Sequence, residues 1–260
     1  MDLEVRMERL VTGAAALGIR LDREQIGRFR TYHEALILWN RRINLTSIVD
    51  DDRVQSHHFL DSLTVASALP RPVLQDGRVM DVGSGAGFPG VPLKIAFPGL
   101  RLALVESTGK KVEFLERLVG LLGLSGVEVL TGRAETLGRE PRLRERFDAV
   151  LARALGPLPV VAELTLPFAR IGGVLVAQRR GDLAREVEEA APALDALGGG
   201  AADVRPVDLP GLADGRALVV VTKIAQTSER YPRRPGAPSK RPIGARGPKT
   251  VRGLEPDSHV

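Results

Sequence analysis

The chain has 260 residues, of which 43% are hydrophobic, so it can bury a substantial core and is not expected to be disordered as a whole. It contains no cysteine, which excludes disulfides and thiolate metal sites and fits a reducing, cytoplasmic location. The sequence has no run of about 18 or more apolar residues, so no membrane span is predicted, and the N-terminus lacks a signal-peptide pattern.

The net charge of +5 comes from residues 227–260, because the rest of the chain has equal numbers of basic and acidic residues.

Residues 1–72 are predicted to form a helical N-terminal extension. In residues 22–42, apolar side chains recur at helical spacing, and Asp22 is a suitable N-cap. A second helical pattern, residues 52–69, ends at the sequence PRP. No strand-turn-strand pattern occurs in this part of the chain.

Residues 73–226 have the alternating strand and helix patterns of a doubly wound, mainly parallel α/β sheet of the Rossmann-like type. Such sheets bind ligands at the carboxyl ends of their strands. The predicted strands are 78–82, 101–107, 127–132, 147–155, 174–181 and 217–224, with a shorter candidate at 203–209.

Residues 227–260 are basic, rich in proline and poor in apolar residues, so they are predicted to form a flexible tail. Arginines such as Arg233 and Arg234, interleaved with proline and glycine, suit a clamp on RNA phosphates. A purely solubilising extension is the alternative.

The first predicted strand runs into the glycine-rich sequence DVGSGAGFPG, residues 81–90. A Walker loop would need a Lys-Ser/Thr pair, which is absent. A dinucleotide fingerprint would need a third glycine where Phe88 stands. Asp81 would repel a pyrophosphate but attract an ammonium group. The loop, with Gly83 and Gly85, therefore suits S-adenosylmethionine, which has a methionyl ammonium and no phosphate. The alternative is that the glycines only make a tight turn.

Two further positions fit the same cofactor. Glu106 ends the second strand, where an acid can accept hydrogen bonds from ribose hydroxyls. After the third strand, the backbone of Ala134 and the carboxylate of Glu135 are placed to meet adenine, whose N6 is a donor.

Several motifs together resemble the bacterial 16S rRNA guanine-N7 methyltransferases of the RsmG family, also called glucose-inhibited division protein B. The resemblance spans residues 21–242, and its most specific carriers are NLTS, HFLDSL and YPRRPG. It implies a class I methyltransferase sheet, S-adenosylmethionine as cofactor, and 16S rRNA or the small ribosomal subunit as partner.

The resemblance also implies roles for individual residues. The implied cofactor contacts are Gly83, Phe88, Glu106, Ala134, Glu135 and Arg153. Asn44 and Lys110 fall on polar positions associated with activity, which we interpret as RNA contacts. Arg180 stands where the family often has a lysine; it keeps a charge that can contact phosphate.

The residue types limit the chemistry. Without cysteine, methylation at pyrimidine C5 through a thiolate adduct is excluded, and ARALGP replaces the stretch that adenine-amine methylation uses. Guanine N7 has a free lone pair and needs no general base. Arg153 is the candidate catalytic residue, because an arginine can contact the N7/O6 edge bidentately. It could instead be a structural partner of Asp148 or Glu106.

Other candidate residues have plainer interpretations. His58 on an apolar helix face is expected to be a packing residue, and Asn44 could be a turn or cap residue. Four histidines without ligand spacing predict no metal site.

The sequence thus predicts a cytoplasmic rRNA (guanine-N7)-methyltransferase acting in the decoding region. The alternatives are a small-molecule methyltransferase of the same fold, a non-catalytic RNA-binding or assembly factor with a cofactor pocket, and an NAD-dependent oxidoreductase.

Overall fold

A seven-stranded sheet forms the centre of the molecule in the computed structural model, which describes residues 7–208 and 215–244. The strands are β1 (Arg78–Val82), β2 (Arg101–Glu106), β3 (Val127–Thr131), β4 (Phe147–Arg153), β5 (Ala169–Arg180), β6 (Gly199–Pro206) and β7 (Arg216–Lys223). Their order is β3-β2-β1-β4-β5-β7-β6, and only β7 runs antiparallel to its neighbours. This confirms the predicted α/β fold.

Helices cover both faces of the sheet, so the central strands are apolar on both sides. The helices are α1 (Glu8–Ala16), α2 (Arg23–Ile43), α3 (Asp51–Val54), α4 (Asp61–Leu63), α5 (Arg71–Asp76), α6 (Gly90–Ala96), α7 (Gly109–Leu121), α8 (Ala134–Leu137), α9 (Leu158–Thr165), α10 (Leu183–Ala196) and α11 (Ala237–Lys240). A π-helix, Gln55–Leu60, joins α3 to α4, and a 3-10 turn, Thr64–Ala68, follows. Short π-helical segments are rare and often lie at functional sites.

Strand β5 begins earlier than the apolar pattern indicates. Its first residue, Ala169, pairs with Phe147, and the register then shifts before Val174 pairs with Ala149. Gly173 lies in this irregular part, where a Cβ would come within 2.9 Å of the Phe147 carbonyl oxygen. The glycine is needed for this close approach, and it interrupts the pattern by which strands are recognised.

The helical extension shares its core with the sheet. Phe29 and Leu36 of α2 are fully buried in the same cluster as Leu93 and Leu102. The predicted N-cap Asp22 forms a capping box with Gln25. The Gln25 amide also donates to the carbonyls of Ile95 and Ala96 at 3.0 and 3.1 Å, so α2 is hydrogen-bonded to the end of α6.

Residues 227–244, which we call the C-terminal strap, differ from the expected flexible tail. Arg144 donates to the carbonyls of Thr227, Ser228 and Tyr231. The side chain of Tyr231 is buried. Arginines elsewhere in the fold satisfy the backbone carbonyls of this segment, so it packs although its own apolar content is low. The remaining predicted tail, residues 245–260, lies outside the described residues.

Arg139 adds three more contacts to the strap, donating to the carbonyls of Glu229, Arg230 and Pro232. Its start is fixed by the buried Lys223, which donates to the Thr227 hydroxyl. The strap is thus an ordered part of the fold that follows directly from β7.

Candidate active site

The loop after β1 adopts a backbone that only glycine accepts easily. Gly83, Gly85 and Gly87 have φ angles of +73°, +57° and +98°. A Cβ on Gly87 would lie 2.8 Å from the Tyr32 hydroxyl, and one on Gly83 would lie 2.6 Å from a Leu155 methyl. The loop therefore needs glycine both for conformation and for space.

Glu106 closes the other side of this loop. One carboxylate oxygen accepts from the backbone N–H of Ser107 and Thr108 at 2.8 and 2.7 Å. The other accepts from Gly85 N–H at 3.1 Å. These bonds fix the carboxylate at the carboxyl end of β2, where it can still accept from hydroxyl groups.

Asp81 is a fully buried carboxylate beneath the loop. Oδ2 accepts from Gly90 N–H at 2.9 Å, whereas Oδ1 has no hydrogen-bond partner among the described residues. Burial raises the pKa of Asp81 from 3.8 to about 7, against the lowering effect of the Gly90 N–H. An unsatisfied buried acceptor of this kind is a place where a cationic ligand is stabilising.

Aromatic side chains line the site next to the glycine loop. The Phe88 ring is stacked between Tyr32 and His58, with ring centroids 5.4 and 4.5 Å away. The Tyr32 hydroxyl donates to the Ala86 carbonyl at 2.5 Å. Burial, together with the charge of Asp81, raises the pKa of Tyr32 well above 10, so this hydroxyl stays protonated. The extension thus holds the loop directly.

Arg153 ends β4 and lies over Phe88, with its guanidinium carbon 5.6 Å from the ring centroid. Its Nη2 donates to the His57 carbonyl at 2.9 Å and to His58 Nδ1 at 3.1 Å. Nη1 lies 3.4 Å from Asp61 Oδ2. The expected ion-pair partners, Asp148 and Glu106, are not used: Asp148 pairs with Arg170 at the opposite end of the sheet. Arg153 is instead held by the π-helix and the residue after it.

His58 is neutral in this arrangement. Burial and the adjacent Arg153 cation lower its pKa from 6.5 to about 3. Because a guanidinium can only donate, Nδ1 accepts and Nε2 carries the proton. Nε2 lies 2.7 Å from the Thr46 hydroxyl, to which it donates. His58 is a packing residue, as expected, that also orients Arg153.

Asp61 connects the extension to three strands, β4, β5 and β7. Its Oδ1 pairs with Arg216 Nη1 of β7 at 2.8 Å, while its Oδ2 faces Arg153. Its backbone carbonyl accepts from Gln178 Nε2 at 2.8 Å. Asp61 and Arg216 are both buried. A cavity of about 300 Å³ lies beside this group and is lined in part by Asp61, Arg153, Gln178, Arg180 and Arg216.

The predicted adenine contacts lie at the carboxyl end of β3. Ala134 and Glu135 begin α8 and are both buried. Glu135 Oε1 accepts from Gly236 N–H of the strap at 2.9 Å. Sequence reasoning did not place the strap against this carboxylate.

The residues expected to contact RNA lie in different settings. Lys110 is exposed in the first turn of α7, and Arg180 is exposed at the end of β5. Asn44 is the C-cap of α2 at φ 46°, which the cap interpretation explains. Arg234 is exposed on the strap. Arg233 differs from the expectation, because its guanidinium is bound to both carboxylate oxygens of the buried Glu163, with Nε 2.8 Å from Oε1. That pairing makes Arg233 an anchor of the strap.

Sequence reasoning missed several residues of the site. Tyr32, Asp61, Gln178 and Arg216 meet around Arg153 and the loop only through tertiary contacts. The motif containing Asp61 was recognised, but its partner was not, because a sequence gives no distance between an extension and a strand end.

The geometry of the site fits S-adenosylmethionine. The unsatisfied oxygen of Asp81 fits the ammonium group, and the Glu106 carboxylate fits the ribose hydroxyls. The open backbone at Gly85 fits the chain between them. The described part of the chain contains no group of three or more His, Cys, Asp or Glu side chains that could hold a metal ion. None of the helices described there is long and apolar enough to span a membrane.

A seven-stranded sheet with an antiparallel β7, a glycine loop after β1 and an acid at the end of β2 defines a class I S-adenosylmethionine-dependent methyltransferase. A crystal structure of a mutant of MtNAS in complex with S-adenosylmethionine aligns with a TM-score of 0.51. The alignment covers 84% of this chain and 78% of that chain at 19% identity, and it shows a shared fold.

Sequence comparison gives the family. A family model described as rRNA small subunit methyltransferase G matches residues 25–206. Relatives named ribosomal RNA small subunit methyltransferase G are 47% identical over 237 residues in Dehalococcoides mccartyi and in a Roseiflexus species. Each alignment covers 91% of this chain and 100% of the relative. The chain belongs to the rRNA small subunit methyltransferase G family, which confirms the resemblance carried by its motifs.

The raised pKa of Asp81 predicts a pH dependence of stability. The folded protein binds this proton more tightly than the unfolded chain, whose carboxyl has a pKa near 3.8. The contribution of Asp81 to the free energy of unfolding therefore falls as pH rises from about 4 to about 7. In the absence of methyl donor, Asp81→Asn should flatten the stability profile across this window and be more stable than the wild type at pH 8. Urea unfolding at a series of pH values measures this.

Asp148→Asn serves as the control with the opposite sign. Burial opposes ionisation there, but the Arg78 N–H and the Arg170 guanidinium outweigh it and lower the pKa of Asp148. This variant should lose stability at neutral pH. A profile for Asp81→Asn that runs parallel to the wild type from pH 4 to 7 would contradict the assignment.

Proposed function

We propose that this protein transfers a methyl group from S-adenosylmethionine to N7 of a guanine in the decoding region of 16S rRNA. The main observation that supports this function is a pocket that suits S-adenosylmethionine, formed by Asp81, the glycine loop and Glu106. This pocket adjoins an arginine-lined cavity at Arg153. Membership of an rRNA methyltransferase family supports the same function. The substrate is the RNA of the small ribosomal subunit in the cytoplasm.

The donor pocket is assigned residue by residue. Asp81 stabilises the ammonium, Glu106 accepts from the ribose hydroxyls, and Ala134 with Glu135 faces the adenine. The loop that contains Gly83 and Gly85 lets the protein backbone approach the methionyl part of the donor closely. Phe88 and Arg153 close the pocket toward the substrate. When bound, S-adenosylmethionine supplies an electrophilic methyl group on a sulfonium.

For methyl transfer to guanine N7, the protein mainly has to position the base and the methyl donor. N7 carries a lone pair that is not protonated at neutral pH, so no residue has to remove a proton. The chain must hold the base in line and exclude water. Arg153 is already fixed by His57, His58 and Asp61, so its Nη1 can donate to the base edge without further ordering.

The strap supports an RNA substrate over a small molecule. A cavity of about 600 Å³ on the strap is lined by Arg233, Arg234, Lys240 and Arg241, and none of the described residues that line it is acidic. Arg233 anchors the strap through Glu163, while the other three cations are exposed. Exposed cations on a fixed backbone suit phosphate contacts. Asn44, Lys110 and Arg180 are further proposed RNA contacts.

The function is tested directly by methyl transfer. Small subunits from cells that lack this gene are incubated with the purified protein and labelled S-adenosylmethionine, and the RNA is analysed by mass spectrometry. We expect N7-methylguanosine at a single position in the decoding region. Methylation of another atom, or of large-subunit RNA only, would overturn the proposal. Tight NAD binding without any response to the methyl donor would do so as well.

Arg153 is tested by substitution. Arg153→Ala should reduce single-turnover methyl transfer by roughly 100-fold or more, because a positioned donor at the reacting base is lost. Arg153→Lys should rescue poorly, since one ammonium cannot both keep the contacts to His57 and His58 and donate to the base. At saturating methyl donor, the single-turnover rate should not fall at acidic pH through protonation of a general base.

Arg170→Ala is the matched control for Arg153, because it removes a paired arginine at the other end of the sheet. Melting temperatures are measured on the same preparations. If Arg153→Ala melts earlier but retains its turnover per folded molecule, Arg153 is structural and does not act on the substrate.

The strap contacts are tested by salt dependence. Replacing Arg234, Lys240 and Arg241 by Gln should weaken RNA binding and flatten the plot of log Kd against log salt. Each lost phosphate contact changes the slope by roughly 0.7 to 0.9. Affinity for the methyl donor should not change.

A control variant with the same loss of charge replaces Arg117, Arg142 and Arg170, which are exposed on other surfaces. Equal effects of the two triple variants on RNA binding would show that only net charge matters, and would remove the strap from the RNA site.

A further inference from the structure

The cavity beside Arg153 contains a hydrogen-bonding pattern that the family assignment does not explain. The cavity, about 300 Å³ in volume, lies where β4 and β5 end and β7 begins. Arg153 of β4 and Gln178 of β5 are register partners, so their side chains start from adjacent points of the sheet. Leu218 of β7 is the partner of Gln178 on its other side and also lines the cavity.

The orientation of the Gln178 amide is fixed. Its Nε2 donates to the Asp61 backbone carbonyl at 2.8 Å, and a carbonyl can only accept. The amide therefore cannot be turned around without losing this bond. Its oxygen Oε1 is buried and has no hydrogen-bond partner among the described residues. A buried acceptor without a hydrogen bond destabilises the folded protein, so a ligand that donates to it is stabilising.

Arg153 presents the complementary group. Its Nη2 is used by His57 and His58, whereas its Nη1 is buried without a hydrogen-bond partner within the described parts of the chain. Nη1 faces Asp61 Oδ2 at 3.4 Å, a favourable charge contact that does not satisfy its hydrogens. The unused donor and the unused acceptor thus belong to two residues that are neighbours in the sheet and both line the cavity.

A donor beside an acceptor matches the lactam edge of a purine, where a carbonyl oxygen adjoins a ring N–H. Guanine has this edge at O6 and N1. Adenine has the reverse order, with an amine at position 6 and an acceptor at N1, so it would set donor against donor and acceptor against acceptor. Guanine O6 is also next to N7, so an arginine bound to O6 lies close to the atom to be methylated.

The geometry points to Gln178 as the residue that selects the target base: Oε1 accepts from guanine N1–H while Arg153 donates to O6. This inference rests on the proposed function and adds to it a residue that determines specificity. In this arrangement Arg153 and Gln178 bind O6 and N1–H of the base, and neither of them binds the exocyclic 2-amine. Inosine, which keeps O6 and N1–H, should be methylated nearly as well as guanosine. In 2-aminopurine, O6 and N1–H are missing, so it should be a poor substrate although its N7 is intact.

The test uses small subunits reconstituted with RNA that carries guanosine, inosine or 2-aminopurine at the methylated position. For the wild type, we expect kcat/KM with 2-aminopurine to be roughly 10- to 100-fold below that with guanosine, the discrimination typical of a good base contact. Gln178→Met keeps the shape of the side chain and removes the acceptor. It should lower kcat/KM for guanosine and inosine by about 10-fold or more, and change the value for 2-aminopurine by less than about twofold.

Gln25→Met is the matched control, because its amide also joins the extension to the sheet core but lies away from the cavity. It should lower the melting temperature without changing the preference among the three bases. Equal losses on all three bases in Gln178→Met, or no loss on any, would overturn the inference. So would efficient methylation of 2-aminopurine by the wild type, a result that does not depend on any variant folding. A wild type that never methylates guanine N7 would instead overturn the proposed function.

Discussion

The buried Arg216 and the half-buried Arg153 share a single carboxylate, and the arrangement of the site depends on this pairing. Asp61 of the helical extension contacts Arg216 of β7 and Arg153 of β4 through its two oxygens. A buried charge whose partner is removed destabilises a protein by about 3–5 kcal/mol, so this group forms only when the extension is seated on the sheet. The extension therefore fixes the position of Arg153, which the sheet alone does not hold in this arrangement.

The charges around Phe88 are largely separated by sign. Asp81 and Glu106 lie on the side of the glycine loop, where a cationic amino-acid group is expected. On the side of the cavity, where a polyanionic RNA is expected, arginines including Arg153 and Arg180 outnumber the Asp61 carboxylate. The neutral His58 beside Arg153 adds no second positive charge, because burial and Arg153 itself lower its pKa to about 3. This separation lets one strand-end surface bind a cation and a polyanion side by side.

Segments outside the sheet complete the site from two directions. Tyr32 of α2 hydrogen-bonds the glycine loop on one side, and Gly236 of the strap hydrogen-bonds Glu135 on the other. The strap itself is held by Arg139, Arg144 and the Arg233–Glu163 pair. The backbone carbonyls of residues 227–232, which lie outside any helix or strand, accept hydrogen bonds from Arg139 and Arg144. A fixed strap brings its exposed cations to the same part of the molecule as the proposed adenine contacts.

The local features of the fold could be predicted from the sequence, because they depend on neighbours a few residues away. The apolar runs predicted β1 and β2 at nearly their observed bounds, and Asp22 predicted the start of α2. The glycine loop and Glu106 indicated the pocket that we propose for the methyl donor. The start of β5 was missed, because its glycines hide the strand pattern. The flexible tail was wrong for residues 227–244, because its order comes from distant arginines and not from its own composition. Tyr32, Asp61 and Gln178 joined the site only in the tertiary structure, since hydrogen bonds across more than 50 residues leave no spacing to read along the chain.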